Sequence, residues 1–397
     1  MLKFLHISDT HIDYIPQLNM LQNKDGIEAD RLAGLRQAIA YAKENNIKLI
    51  VHSGDVFNIT RPPLDIIYEI EKILMEAEAL GIEFLIISGN HDQPKIKNSF
   101  NALKFLSLRK HVHVSLSPEI YNYENYEFLC VPATREWSKF KTEFPKMLTE
   151  LLSKTKTNNK ILVTHAGITG AKEASTFDIE SIFDNVLSID TIPDIFNYVA
   201  LGHFHLMQQV DKRKMYYSGS TSQLSFGEEQ EEKYFLEVSL DENNNLSVLP
   251  IKINLIHKLH TIKINCQNIS TITDFNALLK HEIINSKEKI INNIIRIQIV
   301  NLNIRKIPVD NEGILKVISP FNPYGVKISI SKKDRERHQH DETEENAIPE
   351  DIIMSPEDSI NYELKRRKIT DENILKTNDE VFSEYYDENG IDDTDEY

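Results

Sequence analysis

Residues 47–92 open with IKLIVHSGD (47–55) and close with IEFLIISGNHD (82–92), and a segment of helical periodicity at about 63–80 lies between them. Both runs are short, almost continuously apolar and rich in β-branched residues, as strands buried on both faces of a parallel sheet are. A helix between them supplies the crossover that a parallel pair requires. Outward in both directions the rhythm repeats. LKFLHIS (2–8) is an apolar run, followed at about 29–45 by a helical pattern with Leu32, Leu35, Ile39 and Ala42 on one face. FLCVP (128–132), KILVTH (160–165) and YVALGH (198–203) read as further strands, with a helix rich in Leu and Lys at about 141–154. MYYSGS (215–220) and KYFLEVSL (233–240) read as late antiparallel strands. The fold class is α/β, with residues 1–250 forming a two-sheet domain.

The ends of these runs carry the chemistry. They deliver Asp9-Thr10-His11, Gly54-Asp55, Gly89-Asn90-His91-Asp92, His165 and Gly202-His203-Phe204-His205. Open α/β sheets place their ligand crevice at the carboxyl ends of the strands. In Asp9/His11 and His203/His205 an extended chain aims both side chains the same way, because strand side chains alternate with period two. Gly54, Gly89 and Gly202 supply uncrowded backbone where the chain turns. Oxygen and imidazole donors without thiolate suit Mn²⁺, Fe or Zn²⁺ rather than a structural zinc. There are donors enough for two ions. With Asp55 bridging, one takes Asp9, His11, Asp55 and His205, and the other Asp55, Asn90, His165 and His203. Two ions about 3.5–4 Å apart activate a bridging water and clamp a phosphoester. His91, adjacent to Asn90 but outside that set, is the candidate to protonate the leaving oxygen. Each piece recurs by chance; the ordered set D-x-H, G-D, G-N-H-D, H, G-H-x-H does not.

That ordered set resembles the fingerprint of the calcineurin-like metallophosphoesterase superfamily. The resemblance implies a four-layer α/β/β/α sandwich with a dinuclear site at one edge, Asp9, His11, Asp55, Asn90, His165, His203 and His205 as metal ligands, and His91 as the catalytic histidine. Within the superfamily the chain is similar to the SbcD-type DNA double-strand-break repair nucleases, the meiotic recombination nuclease family. Gly54-Asp55-Val56-Phe57 with Arg61-Pro62-Pro63, and Tyr217-Ser218-Gly219-Ser220 with Phe226-Gly227-Glu228 and Glu232-Lys233, match that family's segments. Two positions depart from its pattern: Asp13 stands where a small residue is usual, and Asn58 where relatives often have His or Asp. The resemblance implies a Mn-dependent exonuclease and endonuclease that takes two Mn²⁺ (Mg²⁺ or another divalent ion as substitute). It also implies action on DNA ends, a homodimer, and an SMC-like ATPase subunit of SbcC type as partner. The alternatives are a nucleotide phosphodiesterase or phosphatase of the same superfamily, and a catalytically silent scaffold. Protein phosphatases read G-D-x-x-D-R-G and G-N-H-E, whereas here VFNITR follows Asp55 and Asp92 follows His91.

Length, composition and charge set the surroundings. At 397 residues the chain holds two or three units, and with 41% hydrophobic and 27% charged residues it is too apolar for wholesale disorder. Its two cysteines, Cys130 and Cys266, exclude a disulfide framework and a thiolate-ligated zinc, and fit a reducing compartment. No run is apolar enough for a membrane span, and MLKFLHISDTHID meets aspartate too soon for a secretory signal. For a prokaryotic or viral source, a cytoplasmic, nucleoid-associated location is the expectation.

The formal charge of −16 is unevenly spread, with net −13 in residues 331–397, net +6 in 251–330 and −9 in 1–250. Residues 251–331 read as a small α+β capping domain. IHKLHTIKI (256–264) and NNIIRIQIV (292–300) are strand-like, TDFNALLKHEII (273–284) is helical, and GILKVIS (313–319) and VKISIS (326–331) close the unit. Its basic surplus reads either as a solvated face or as a surface laid along DNA phosphates beside the metal edge. On the second reading Lys258, Lys263, Arg296, Arg305 and Lys306 are the candidates, with Asn58 and Arg61 on the nuclease side. Residues 332–350 read as a linker, 351–390 as a tail of short helices for the ATPase partner, and 391–397 as a disordered acidic end. Ile352, Ile353, Ile360, Leu364 and Ile374 give that tail an apolar face able to fold on a partner helix. Of the remaining histidines, His6 and His52 lie inside apolar strands, where a hydrogen-bonded supporting role is expected rather than ligation.

Overall fold

A computed structural model of the chain describes residues 1–94, 99–134, 137–172, 186–304 and 306–330. The linker and tail expected over 332–397 lie outside the described residues.

The nearly unbroken apolar runs are explained by which way each side chain faces. In Leu2–Ile7, Leu49–His52 and Glu83–Ile87, one parity (Phe4, Leu49, Val51, Leu85, Ile87) joins a core shared with a second sheet. The other parity (Leu5, Ile50, Phe84, Ile86) packs with the outer helices Lys24–Glu44 and Leu64–Ala79. The second sheet does the same. Phe128, Cys130, Ile161, Val163, Tyr198 and Ala200 face inward, while Leu129, Val131, Leu162, Val199 and Leu201 meet Phe140, Phe144, Leu148 and Leu151 of the helix Trp137–Lys154. Helix, sheet, sheet, helix is the four-layer α/β/β/α sandwich expected from the sequence.

The first sheet runs Leu246–Lys252, Tyr234–Leu240, Leu2–Ile7, Leu49–His52, Glu83–Ile87, Val112–Ser115, and its last four strands are parallel. The second runs Gln208–Gln209, Met215–Tyr217, Tyr198–Gly202, Lys160–His165, Tyr126–Val131, Glu119–Tyr123. Tyr234–Leu240 is antiparallel to Leu2–Ile7, as expected. Met215–Tyr217 corrects the expectation: it pairs in parallel with Tyr198–Gly202 and is antiparallel only to the two-residue strand Gln208–Gln209. That short strand already reverses the chain, so the next one returns in the direction of its neighbour. Leu246–Lys252 continues the first sheet as an edge strand, where Pro250 costs no ladder bond to a further neighbour.

A third sheet belongs to the module beyond. Leu259–Asn265, Ile294–Val300 and Gly325–Ile330 are parallel. The helices Ile272–Asn285 and Asn311–Ile318 pack Phe275, Leu279, Ile283, Ile314 and Ile318 into one core with Ile264, Ile297 and Ile299. Its fourth strand comes from far away in the chain: Met20–Leu21 pairs antiparallel with Gly325 and Val326. Ile27 and Phe226 join Leu259, Ile294 and Tyr324 in a small apolar junction. The Arg296 guanidinium lies 4.9 Å from the Phe226 ring centre, a cation–π contact.

Candidate metal centre

The loops that leave the strand ends are bonded to one another before any side chain is considered. Asp9 N–H donates to Gly54 O (3.0 Å), His11 N–H to Asp55 O (3.2 Å) and Ile12 N–H to Val56 O (3.0 Å). Asp9, His11, Asp55 and His203 all adopt positive φ, at 49°, 39°, 55° and 104°. Non-glycine residues pay for that conformation and keep it only where the surroundings overdetermine it. Gly54 (φ 101°) needs its missing side chain, since a Cβ there would lie 2.4 Å from His165 Nδ1. Gly89 departs from the reading as a turn residue. Its φ is ordinary, and its role is close approach, since a Cβ would fall 2.0 Å from Asp55 Oδ1.

These loops bring the seven expected ligands and His91 to one place. Asp55 Oδ2 lies 3.2 Å from His165 Nε2 and 3.7 Å from His11 Nε2, while its Oδ1 accepts the His91 N–H at 2.9 Å. Asn90 Oδ1 accepts from His165 Nε2 (3.0 Å) and His203 Nδ1 (3.1 Å). Both Asp9 oxygens accept the His203 N–H at 3.1 Å. Three groups offer atoms within 4.8 Å of one another: Asp9, His11 and His205; Asp9, Asp55 and His165; and His11, Asp55 and His91. The His11 ring stands 4.9 Å from that of His91 and 5.3 Å from that of His205, centre to centre.

Burial and charge set the protonation states. Burial drives the His11 imidazole well below its ordinary pKa, and burial followed by repulsion from His165 takes His203 down to about 3. Both are therefore neutral and able to ligate. Burial opposes charge on His165 as well, but the Asp55 and then the Asp9 carboxylates outweigh it and hold the pKa up at about 9. Burial also works against the Asp55 carboxylate, yet His165, His91 and His11 keep it well below the usual range.

The donor set fits divalent ions, and His11 supplies the test. It is 2% exposed, and neither ring nitrogen has a hydrogen-bond partner among the described residues. An imidazole buried without partners costs about 1–3 kcal/mol per group left unsatisfied, so the pocket is built around something that engages it. A cation among Asp9, Asp55 and His205 would do so.

A supporting layer holds the ligands, and much of it escaped the sequence reading. His205 Nδ1 donates to Glu228 Oε1 (3.1 Å), the arrangement that fixes tautomer and ring orientation in metal sites. Glu228 in turn pairs with buried Lys233 at 2.5 Å, and Lys233 with Glu231 at 3.0 Å. The buried Asp92 carboxylate accepts N–H bonds from Val56 (3.2 Å), Phe57 (3.0 Å) and Gly89 (2.9 Å), joining two ligand loops. Asp13 accepts N–H bonds from Asn58 (2.5 Å) and Ile59 (3.2 Å). His165 Nδ1 donates to Ser53 O (2.9 Å). His52 bonds Thr10 Oγ1 (3.1 Å) and the Gly54 N–H (3.3 Å), and His6 bonds Tyr198 and Ser53, the supporting roles expected of both. A signal for Glu228 and Lys233 was present, in the F-G-E and E-K pairs quoted above.

The other candidates are more dispersed. Asn58 adjoins His91, whose Nδ1 donates to the Asn58 carbonyl at 2.8 Å. Arg61, Lys258, Lys263 and Lys306 are exposed. Arg296 is half-buried, bonded through Nε to Thr261 Oγ1 (3.1 Å) and packed over Phe226. Arg305 lies outside the described residues.

Residues 2–207 match the family model of the calcineurin-like phosphoesterases. The chain belongs to the calcineurin-like phosphoesterase family. That family implies a dinuclear divalent metal site. Three curated relatives are each named DNA double-strand break repair protein Mre11. The one from Sulfurisphaera tokodaii is 30% identical over 286 residues, 67% of this chain and 66% of its own. Those from Saccharolobus solfataricus and Methanocaldococcus jannaschii are 28% and 27% identical, covering 52% and 55% of this chain and 50% and 56% of theirs. The chain thus aligns with between half and two thirds of the length of these relatives.

Proposed function

We propose that the chain is a DNA nuclease, exonuclease and endonuclease, that hydrolyses phosphodiester bonds at double-strand ends with two Mn²⁺. The observation that carries this reading is the Asp55 carboxylate, with one oxygen between His165 and His11 and the other anchoring the His91 backbone. Asp9, His11, Asp55 and His205 would hold one ion, and Asp55, Asn90, His165 and His203 the other. Bound there, the pair supplies Lewis acidity toward a phosphate and makes water a stronger nucleophile. The chain contributes the rest. Asp9 and Asp55 balance the positive charge, and Glu228 and Ser53 orient His205 and His165. His91 is exposed, with Nδ1–H engaged by Asn58 O, so in the imidazolium form its Nε2–H is left to pass a proton to the departing sugar oxygen.

DNA rather than a small phosphoester is favoured by the names of the relatives and by Lys258, Lys263 and Lys306 standing exposed on the module beside the nuclease sheets. A homodimer is supported by an apolar surface of Leu64, Tyr68 and Met75 on one helix, with Phe100, Phe105 and Leu108 nearby in the chain. The SbcC-type ATPase would bind the tail at 351–390, in a cytoplasmic, nucleoid-associated setting. Among the described residues no helix is long and apolar enough to cross a membrane.

The test is cleavage of a linear duplex by the purified chain with Mn²⁺ and with Mg²⁺. We expect degradation with Mn²⁺, and loss by about 10²–10⁴-fold in His91→Asn with metal still bound, the usual worth of a general acid. A His91→Asn variant that cuts as fast as the parent rules out that role.

A further inference from the structure

We propose that Asp13 is a positioning residue for His91, acting through the peptide unit between Asn58 and Ile59. This rests on reading His91 as the proton donor. Asp13 Oδ2 accepts the Ile59 N–H at 3.2 Å, and Asp13 Oδ1 accepts the Asn58 N–H at 2.5 Å. The Ile59 N–H and the Asn58 C=O belong to one rigid peptide plane and point in opposite directions. Gripping the N–H therefore aims the carbonyl, and the carbonyl receives His91 Nδ1–H at 2.8 Å. A carbonyl oxygen only accepts, so this bond places a proton on Nδ1 and leaves Nε2 as the nitrogen that exchanges a proton with substrate. Charge on Asp13 strengthens its two bonds, and hydrogen bonds at both ends of one peptide unit polarise each other. The His91 backbone is held independently by Asp55 Oδ1 at 2.9 Å. Loss of Asp13 thus frees the Asn58–Ile59 peptide and with it the ring, while the His91 backbone stays held by Asp55.

Three features make this more than loop stabilisation. Both Asp13 oxygens are spent on the two N–H groups flanking residue 58, and neither touches a metal-ligating atom. Asp13 follows His11 by two residues, in the same loop, and the Ile12 N–H is bonded to Val56 O, so the clamp is anchored on the ligand loops themselves. His91 is exposed, so among the described residues only the His11 ring, edge-on at 4.9 Å, shares with the carbonyl in setting its orientation.

The experiment uses the full chain labelled with ¹⁵N-histidine, metal-free and DNA-free at pH 8, and compares wild type, Asp13→Ala and Asp13→Asn. In wild type the His91 ring should show the Nδ1–H tautomer, and in Asp13→Ala a mixture of both. Asp13→Asn, which keeps a carbonyl acceptor, should fall between them. In steady-state cleavage of a linear duplex with saturating Mn²⁺, kcat of Asp13→Ala should drop about 10-fold, the lower end of the range for removing a supporting partner. KM should stay within about twofold, and Asp13→Asn should recover part of the rate. A tautomer unchanged in both variants overturns the proposal, whatever the rate, and so does an unchanged kcat. Should Asp13→Ala fail to fold, Asp13→Asn carries the same comparison. If the wild type cleaves no DNA, the nuclease reading fails, while the tautomer result still decides whether Asp13 sets the His91 ring.

Discussion

His205 reaches its place through Glu228, whose carboxylate is itself held by the buried Lys233 ammonium. Burial opposes charge on Glu228, but Lys233 and His205 outweigh it and keep the carboxyl ionised far below its usual range. Replacing Glu228 by Gln leaves a neutral acceptor, with Glu231 as the remaining carboxylate on Lys233, whose ammonium also donates to the His205 carbonyl at 3.2 Å. We expect Mn²⁺ affinity to fall about 10–100-fold, measured by calorimetric titration. An unchanged affinity would mean that Glu228 only packs. Which of these residues are legible in the sequence has a physical reason. Asp9, Asp55, Asn90, His91 and His165 were legible because each terminates an apolar run, and position relative to a strand end can be read from pattern. Asp13 and Asp92 were not, because their partners are backbone N–H groups of another loop, and nothing in a carboxylate's own neighbours reveals that. Glu228 and Lys233 were visible as motif members, without the role that only their distances supply.

Strands and helices account for where the ligands converge. Each central strand spends one parity on the inter-sheet core and the other on a helix, so the two sheets are held face to face and their carboxyl ends are brought into line. Phe128 shows what that layer is worth. It is wholly buried between the sheets and meets Phe4 edge to face at 5.7 Å. Phe128→Ala should cost about 3–5 kcal/mol, read from the midpoint of urea unfolding at unchanged slope; a loss below about 1 kcal/mol would show a layer loose enough to collapse around the gap. The central runs and the long helices followed from periodicity, with boundaries shifted by a few residues, whereas the strands Val112–Ser115, Glu119–Tyr123 and Leu246–Lys252 did not. Pairing did not follow. Met20–Leu21 is two residues long and joins a sheet whose other strands lie beyond residue 258, and no local pattern announces a partner so distant. The direction of Met215–Tyr217 depended on the two-residue strand before it, too short to be seen as one.

Across the whole molecule, a phosphoesterase sandwich gathers its polar loops at one rim, and a second module is tied to that rim through Met20–Leu21, Ile27 and Phe226. The charge pattern acquires a meaning here. The module with the basic surplus is fastened to the loop that begins at Asp9 and His11, so its exposed lysines and the candidate metal centre belong to one connected unit. All of this turns on cations gathering around Asp55. Metal-free protein titrated with Mn²⁺, with uptake counted by calorimetry and electron paramagnetic resonance, measures that directly. We expect two ions per chain in the wild type, with spectra showing the two manganese spins coupled, and loss of that coupling in Asp55→Asn. Uptake of no ion by the wild type, or two coupled ions held as tightly by Asp55→Asn, would contradict it.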